Sequence, residues 1–91
     1  MLPDWLLPFL HVLRRAYPDG LPERDYLPLL AVMSEDFSER GLARLVAEFM
    51  DGEVVVVEND AAAALSTRRP LPAEVERVRA HLIATGYEPD E

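Results

Sequence analysis

The chain has 91 residues, 49% of them apolar, with no cysteine and a formal charge of −8. That length gives one domain, residues 1–91, with a single modest core, and the apolar share excludes an intrinsically disordered chain. The missing cysteines exclude disulfides and cysteine–zinc centres, and the acidic balance disfavours nucleic acid because carboxylates repel the phosphate backbone. All nine basic residues are arginine. No apolar run approaches the roughly 20 residues that span a bilayer. The start, MLPDWLLPFL, lacks a basic leading region and carries Asp4, so it does not read as a signal peptide. A soluble cytoplasmic protein, without membrane association, is the expectation.

The first predicted helix lies in LPDWLLPFLHVLRRAY, where Leu6, Phe9, Leu10, Leu13 and Tyr17 recur at three and four spacing. Asp4 is a plausible N-cap, and Pro8 fits only near the first turn. The helix therefore starts between Asp4 and Leu7 and ends near Ala16. Next comes YPDGLPERDYLPLL, residues 17–30. Tyr17-Pro18-Asp19-Gly20 reads as a turn, with proline fixing one dihedral and glycine accepting a positive one. Asp25 is the expected cap of a second helix reaching Met33, which puts Pro28 at its third position. The DWLLPFL and DYLPLL segments echo each other as one helix-start solution used twice.

A third helix shows the apolar stripe Phe37, Leu42, Leu45, Val46, Phe49 and Met50. Asp36 and Glu39 have capping-box spacing, Ser38 is a rival cap, and Gly52 is the expected stop. EVVVVE, residues 53–58, places four β-branched valines together and reads as a short strand near residues 53–57, although no second strand is evident. Asn59 or Asp60 then caps a short helix through Ala61–Leu65, since alanine is the best helix former. STRRPLP is a connector, and Pro72 opens the last helix. There Val75, Val78, Leu82 and Ile83 face the core, and Glu74–Arg77 and Glu76–Arg79 are spaced to pair. Gly86 ends this helix, and YEPDE is a short tail. The expected fold is all-α: a small compact bundle of four to five helices, with one short strand as the open element.

Chemistry is sparse. His11 and His81 lie in the two terminal helices without metal-ligand spacing, and DGEVVVVE lacks the alternating oxygens of a calcium loop. There is no nucleophile motif and no phosphate-cradling loop. Ser34, Ser38 and Ser66 lie near helix ends, where capping is their ordinary role. The reading is no enzyme, no catalytic or metal residues and no cofactor.

Two binding classes remain. For nucleic acid, the second and third helices followed by the valine run resemble a winged helix-turn-helix, with Arg40, Arg44, Arg68 and Arg69 as contacts. Glu39, Glu48, Asp51, Glu53 and Glu58 occupy the same region and oppose it. For a protein partner, the candidate patch is Tyr17, Asp19, Glu23, Arg24 and Tyr26, held by a proline-stiffened joint. Turn and cap chemistry explains most of those residues equally well. Buried tyrosines would remove the patch. An exposed EVVVVE edge or an exposed Trp5 would instead mark a contact surface.

Two segments carry a family resemblance. AYPDGLPERDYLPLLAVM resembles the signature of a small actinobacterial helical family, Domain of Unknown Function 3349, in its tyrosine-proline-x-glycine turn, its Asp-Tyr and its leucine-rich helix. LPAEVERVRAHLIATGYEPD resembles that family's end, a proline-led helix finishing in glycine and an aromatic residue. The four-valine and Ala61–Ala64 runs have no counterpart in that pattern. The resemblance implies a compact helical domain and no enzyme activity, cofactor or site residue. The leading expectation is a protein–protein interaction module, monomeric or weakly dimeric. A nucleic-acid-associated regulator is the alternative.

Overall fold

The chain enters through a single 3-10 turn, Asp4–Leu6, that runs directly into α1, Leu7–Ala16. Four helices follow: α2 Glu23–Met33, α3 Glu39–Met50, α4 Val54–Ala64 and α5 Pro72–Ala84. These are the elements of a computed structural model, which describes residues 2–88. Met1 and the tail beyond Glu88 lie outside the described residues. All regular structure among the described residues is helical, as expected of an all-α bundle. α3 packs along α4, α2 lies against both α4 and α5, and α1 closes the bundle on α3 and α5. The radius of gyration is 11.8 Å, close to the ~12 Å expected of a compact chain of this length.

Helix ends explain much of the topology. Leu6 N–H donates to the Pro3 carbonyl at 3.0 Å, and Asp4 makes no side-chain cap. Pro8 falls at the second position of α1, where its missing N–H costs no hydrogen bond. The Tyr17–Gly20 turn forms as expected: Gly20 N–H donates to the Tyr17 carbonyl at 3.1 Å, and Gly20 takes φ 99°. Extended Pro22, not Asp25, occupies the cap position of α2. The helix therefore starts three residues early, and Pro28 falls at its sixth position rather than its third. There it removes a hydrogen bond to the Arg24 carbonyl while staying buried.

α3 is capped by Ser38, whose Oγ accepts from the Gly41 N–H at 3.0 Å; the Asp36–Glu39 box is not used. At its other end the left-handed residue is Asp51, φ 56°, rather than Gly52. Gly52 N–H instead reaches back to the Ala47 carbonyl at 2.8 Å, which closes the helix in a Schellman arrangement.

The valine run is helical, not a strand. α4 is continuous from Val54 to Ala64, so neither Asn59 nor Asp60 starts a helix. A lone strand leaves its N–H and carbonyl groups without a ladder, whereas a helix satisfies them internally. Each valine gives up well under ~1 kcal/mol of helix propensity, and the following alanines are the best formers available. Burial follows the helical period: Val57, Ala61 and Ala64 are buried, while Val55 and Val56 face solvent.

Leu6, Leu13, Leu29, Leu30, Leu42, Leu45 and Leu82 fill one buried cluster, with Val32, Val46 and Val78 between them. Burying one such leucine or valine is worth ~1.5–3 kcal/mol. Val78 and Leu82 of α5 reach the core as expected, but Ile83 is half-exposed. Pro72 opens α5, and Gly86 (φ 111°) ends it, with Tyr87 N–H donating to the Leu82 carbonyl at 3.0 Å.

Candidate functional site

Two polar side chains of the 17–30 stretch, Tyr17 and Asp25, turn inward. Asp25 is 5% exposed and accepts from Arg77 of α5 at 2.8 Å. Arg77 also donates to Glu74 at 2.7 Å, so one cation serves two carboxylates. Burial pushes the Asp25 carboxyl up, but hydrogen bonding and charge from Arg77 outweigh it and hold Asp25 below the usual carboxylate range. Tyr17 is buried beside this pair. Its hydroxyl feels the Asp25 charge, yet it has no hydrogen-bond partner of acceptable geometry, and neither does Arg77 Nε.

The other two tyrosines follow the same logic. Tyr26 donates to Asp60 at 2.6 Å, joining α2 to α4. Tyr87 donates to Asp36 at 2.5 Å, tying the C-terminal turn to the α2–α3 link. Burial first, and the neighbouring carboxylate second, raise all three phenols well above their ordinary value. Of the sequence-predicted patch, Tyr17 is buried and Tyr26 half-buried, while Asp19, Glu23 and Arg24 face solvent. The tyrosines are therefore part of the scaffold, and the five residues do not form one exposed surface.

Two of the four arginines expected at nucleic acid are paired with carboxylates. Arg40 meets Glu58 at 3.2 Å, and Arg68 meets Asp60 at 3.6 Å. Arg69 donates to the Leu65 carbonyl at 2.6 Å, serving the C-terminal end of α4. Arg44 lines a polar depression of about 210 Å³ together with Glu48 and Asp51. The helical valine run also removes the wing that the resemblance to a DNA-binding fold needs.

His81 Nε2 lies 2.7 Å from the Ala16 carbonyl, so it donates there, and its ring meets Tyr17 edge-on at 5.1 Å. Among the described residues, no group of three or more metal-ligating side chains is placed to hold an ion. Ser34 and Ser66 donate to the Leu30 and Ala62 carbonyls, the helix-end role expected of them.

Apolar surface appears around the α4–α5 connector. A groove of about 410 Å³ opens between α2, the end of α4 and the start of α5. Ala31, Ala64, Leu65, Pro70, Pro72 and Val75 form its apolar wall. Leu65 is 48% exposed, and Leu71, between the two lining prolines, is 70% exposed. The rim carries Glu35, Glu76 and Arg69. Arg79 fixes the acidic side: it makes a bidentate pair with Glu35 at 2.6 and 2.9 Å and bonds Glu76 at 3.0 Å. That contact holds Glu35 below the usual carboxylate range.

Trp5 is a second exposed feature, 60% accessible and stacked on Phe37 at 6.4 Å. Its ring lies 3.8 Å from the position a Cβ on Gly41 would take, so it covers the first turn of α3.

Comparison with known families adds one finding. The model of a family described as Protein of unknown function (DUF3349) matches residues 4–91. The chain belongs to this family. The match runs through α4, whose valine and alanine runs had no place in the two resembling segments, so the family covers the whole bundle. No curated protein and no solved structure matches the chain. No helix among the described residues is long and apolar enough to cross a membrane.

Proposed function

We propose that this domain is a non-catalytic protein-interaction module, working in the cytoplasm, and that its contact surface is the groove between α2, α4 and α5. One observation carries the reading. A strongly acidic chain leaves Leu65 and Leu71 exposed beside a mostly apolar depression that also carries Glu35, Glu76 and Arg69. A largely apolar surface with a few charged groups is the make-up of an interface. The charged side chains on that rim are engaged in ion pairs or helix-end bonds, which suits orientation of a partner better than proton transfer. The arginine pairing with Glu58 and Asp60 weighs against the nucleic-acid alternative.

The test is capture from nuclease-treated lysate with wild-type protein and with Leu65→Asp. Leu65 is half-exposed, so the substitution leaves the core intact, and circular dichroism checks the fold. Specific proteins held by the wild type and reduced at least tenfold by Leu65→Asp support the reading. Equal recovery by both, or recovery that depends on nucleic acid, overturns it.

A further inference from the structure

Resting on the groove as the contact surface, we infer that its occupant is a basic amphipathic helix of another protein, with an aliphatic stripe in the groove and its arginines or lysines beside Glu35 and Glu76. The wall of the groove sets the kind of side chain. Ala31, Ala64, Leu65, Pro70, Pro72 and Val75 are all aliphatic, around a volume of about 410 Å³. Other common modes of peptide recognition find little to grip. Among the described residues, no strand offers an edge to extend, and no aromatic ring lines the groove for a polyproline segment. The two arginines at the groove are engaged within the chain, Arg69 with the Leu65 carbonyl and Arg79 with Glu35 and Glu76. An acidic motif, which is read by clustered arginines, is therefore poorly served. An aliphatic wall between helices is what a helix with apolar residues at i, i+3, i+4 and i+7 fills.

Charge sets the sign of that helix. The carboxylates at the groove are more exposed than the cation that binds them: 52% for the Glu35 side chain and 68% for Glu76, against 24% for Arg79. Each carboxylate has acceptor sites beyond its bonds to Arg79, and Glu76 takes its bond on Oε2 alone. Asp25 shows one carboxylate serving two cations in this same bundle, bonded to Arg77 and 3.7 Å from Arg24. Arg69 stands on the connector side, so the basic residues of the helix belong on the α2–α5 side.

The wider chain reinforces the local sign. At the groove two carboxylates balance two guanidinium groups, so the net −8 lies elsewhere on the chain. The radius of gyration is only 11.8 Å and the Debye length is ~8 Å at physiological salt, so that charge is felt at the groove mouth. It draws a cationic segment in and turns an anionic one away.

The test is a display library of helical peptides of about 18 residues. One half carries a leucine stripe at helical spacing, and the other half carries the same leucines scrambled. The polar positions are randomised among Lys, Arg, Glu, Gln and Ser. The library is depleted on Leu65→Asp and then selected on the wild-type chain. Leu65→Asp adds a negative charge, so peptides held by charge alone bind it at least as well and are removed. Survivors should keep the ordered stripe and carry a net positive polar face. In fluorescence anisotropy, the leading peptide should bind at least tenfold more weakly to Leu65→Asp and at least fivefold more weakly to Glu35→Gln/Glu76→Gln. Asp19→Asn/Glu23→Gln, the same change of charge placed on the joint, should shift it less than twofold. Circular dichroism checks that each variant is folded. Survivors with neutral or acidic polar faces, survivors with scrambled leucines, no survivors, or equal losses in the two double variants overturn the proposal. The broader groove reading then stands if Leu65→Asp still abolishes capture of lysate proteins, and it falls too if capture is indifferent to that substitution.

Discussion

The α1–α2 joint and the α4–α5 connector are both proline-marked links between helices, yet they use their side chains in opposite ways. The joint, residues 17–30, sends Tyr17 and Asp25 inward, where Arg77 reaches in from α5 to meet the carboxylate, and leaves Asp19, Glu23 and Arg24 in solvent. The connector, residues 65–71, sends apolar groups outward: Leu65 and Leu71 stand in solvent while Arg69 turns back to bond a helix end. In an acidic bundle of this size, the polar residues that look functional hold the helices together. The apolar residues left outside are the ones the proposed contact would use.

If the joint is structural, pH should reveal it most strongly. All three phenols are raised by burial next to carboxylates. A raised group contributes stability that is fully present below its unfolded value of about 10 and is lost as pH climbs further. The tyrosines should therefore ionise together, on cooperative unfolding, and not one by one. A titration at 295 nm alongside far-ultraviolet dichroism checks this. Independent ionisation near pH 10 with the helices intact would contradict it. On the acid side, Asp25, Glu35 and Glu74 are held low by their arginines. Their contribution is present above about pH 5 and lost as pH falls below about 4.

Asp25→Ala should cost about 2–3 kcal/mol in urea unfolding. That lies at or below the range for breaking a buried pair, because Arg77 keeps 36% of its side chain in solvent. A surface role for Asp25 predicts almost no change. Within α4 the inward and outward faces separate more finely. Val57→Ala should cost about 1–2 kcal/mol for the lost core volume, while Val55→Ala should be neutral or slightly stabilising through helix propensity. Similar losses at both positions, the pattern of a strand burying alternate residues, would undo the α4 assignment. The smallest effect is expected at Tyr17→Phe. Its hydroxyl is buried without a hydrogen bond, so removing it should change stability by less than about 0.5 kcal/mol in either direction. A loss above 1 kcal/mol would mean that the hydroxyl is bonded after all.

Helix count, the Tyr17–Gly20 turn, the Ser38 rival cap, the Pro72 start and both pairs on α5 were legible because each rests on local spacing. The α4 helix was not. Four valines favour a strand locally, and only the absence of a partner strand elsewhere decides for the helix. The Asp25–Arg77 bond spans 52 positions, and a carboxylate near a helix start looks the same whether it caps or reaches across the core. Pro22 ahead of it was the available sign that the cap position was taken. The groove was also hidden, since it exists only where three helices meet. Its one trace was a leucine between two prolines in STRRPLP, too apolar a residue for a connector that packs against nothing.

Carboxyl-group footprinting of the protein, free and bound to its captured partner, with labelled sites read by mass spectrometry, most directly tests which region binds. Protection at Glu35 and Glu76, with Asp19 and Glu23 unchanged, is the result expected if the groove is the contact surface. Protection at Asp19 and Glu23 with Glu35 and Glu76 still labelled would return the contact to the joint and contradict the account.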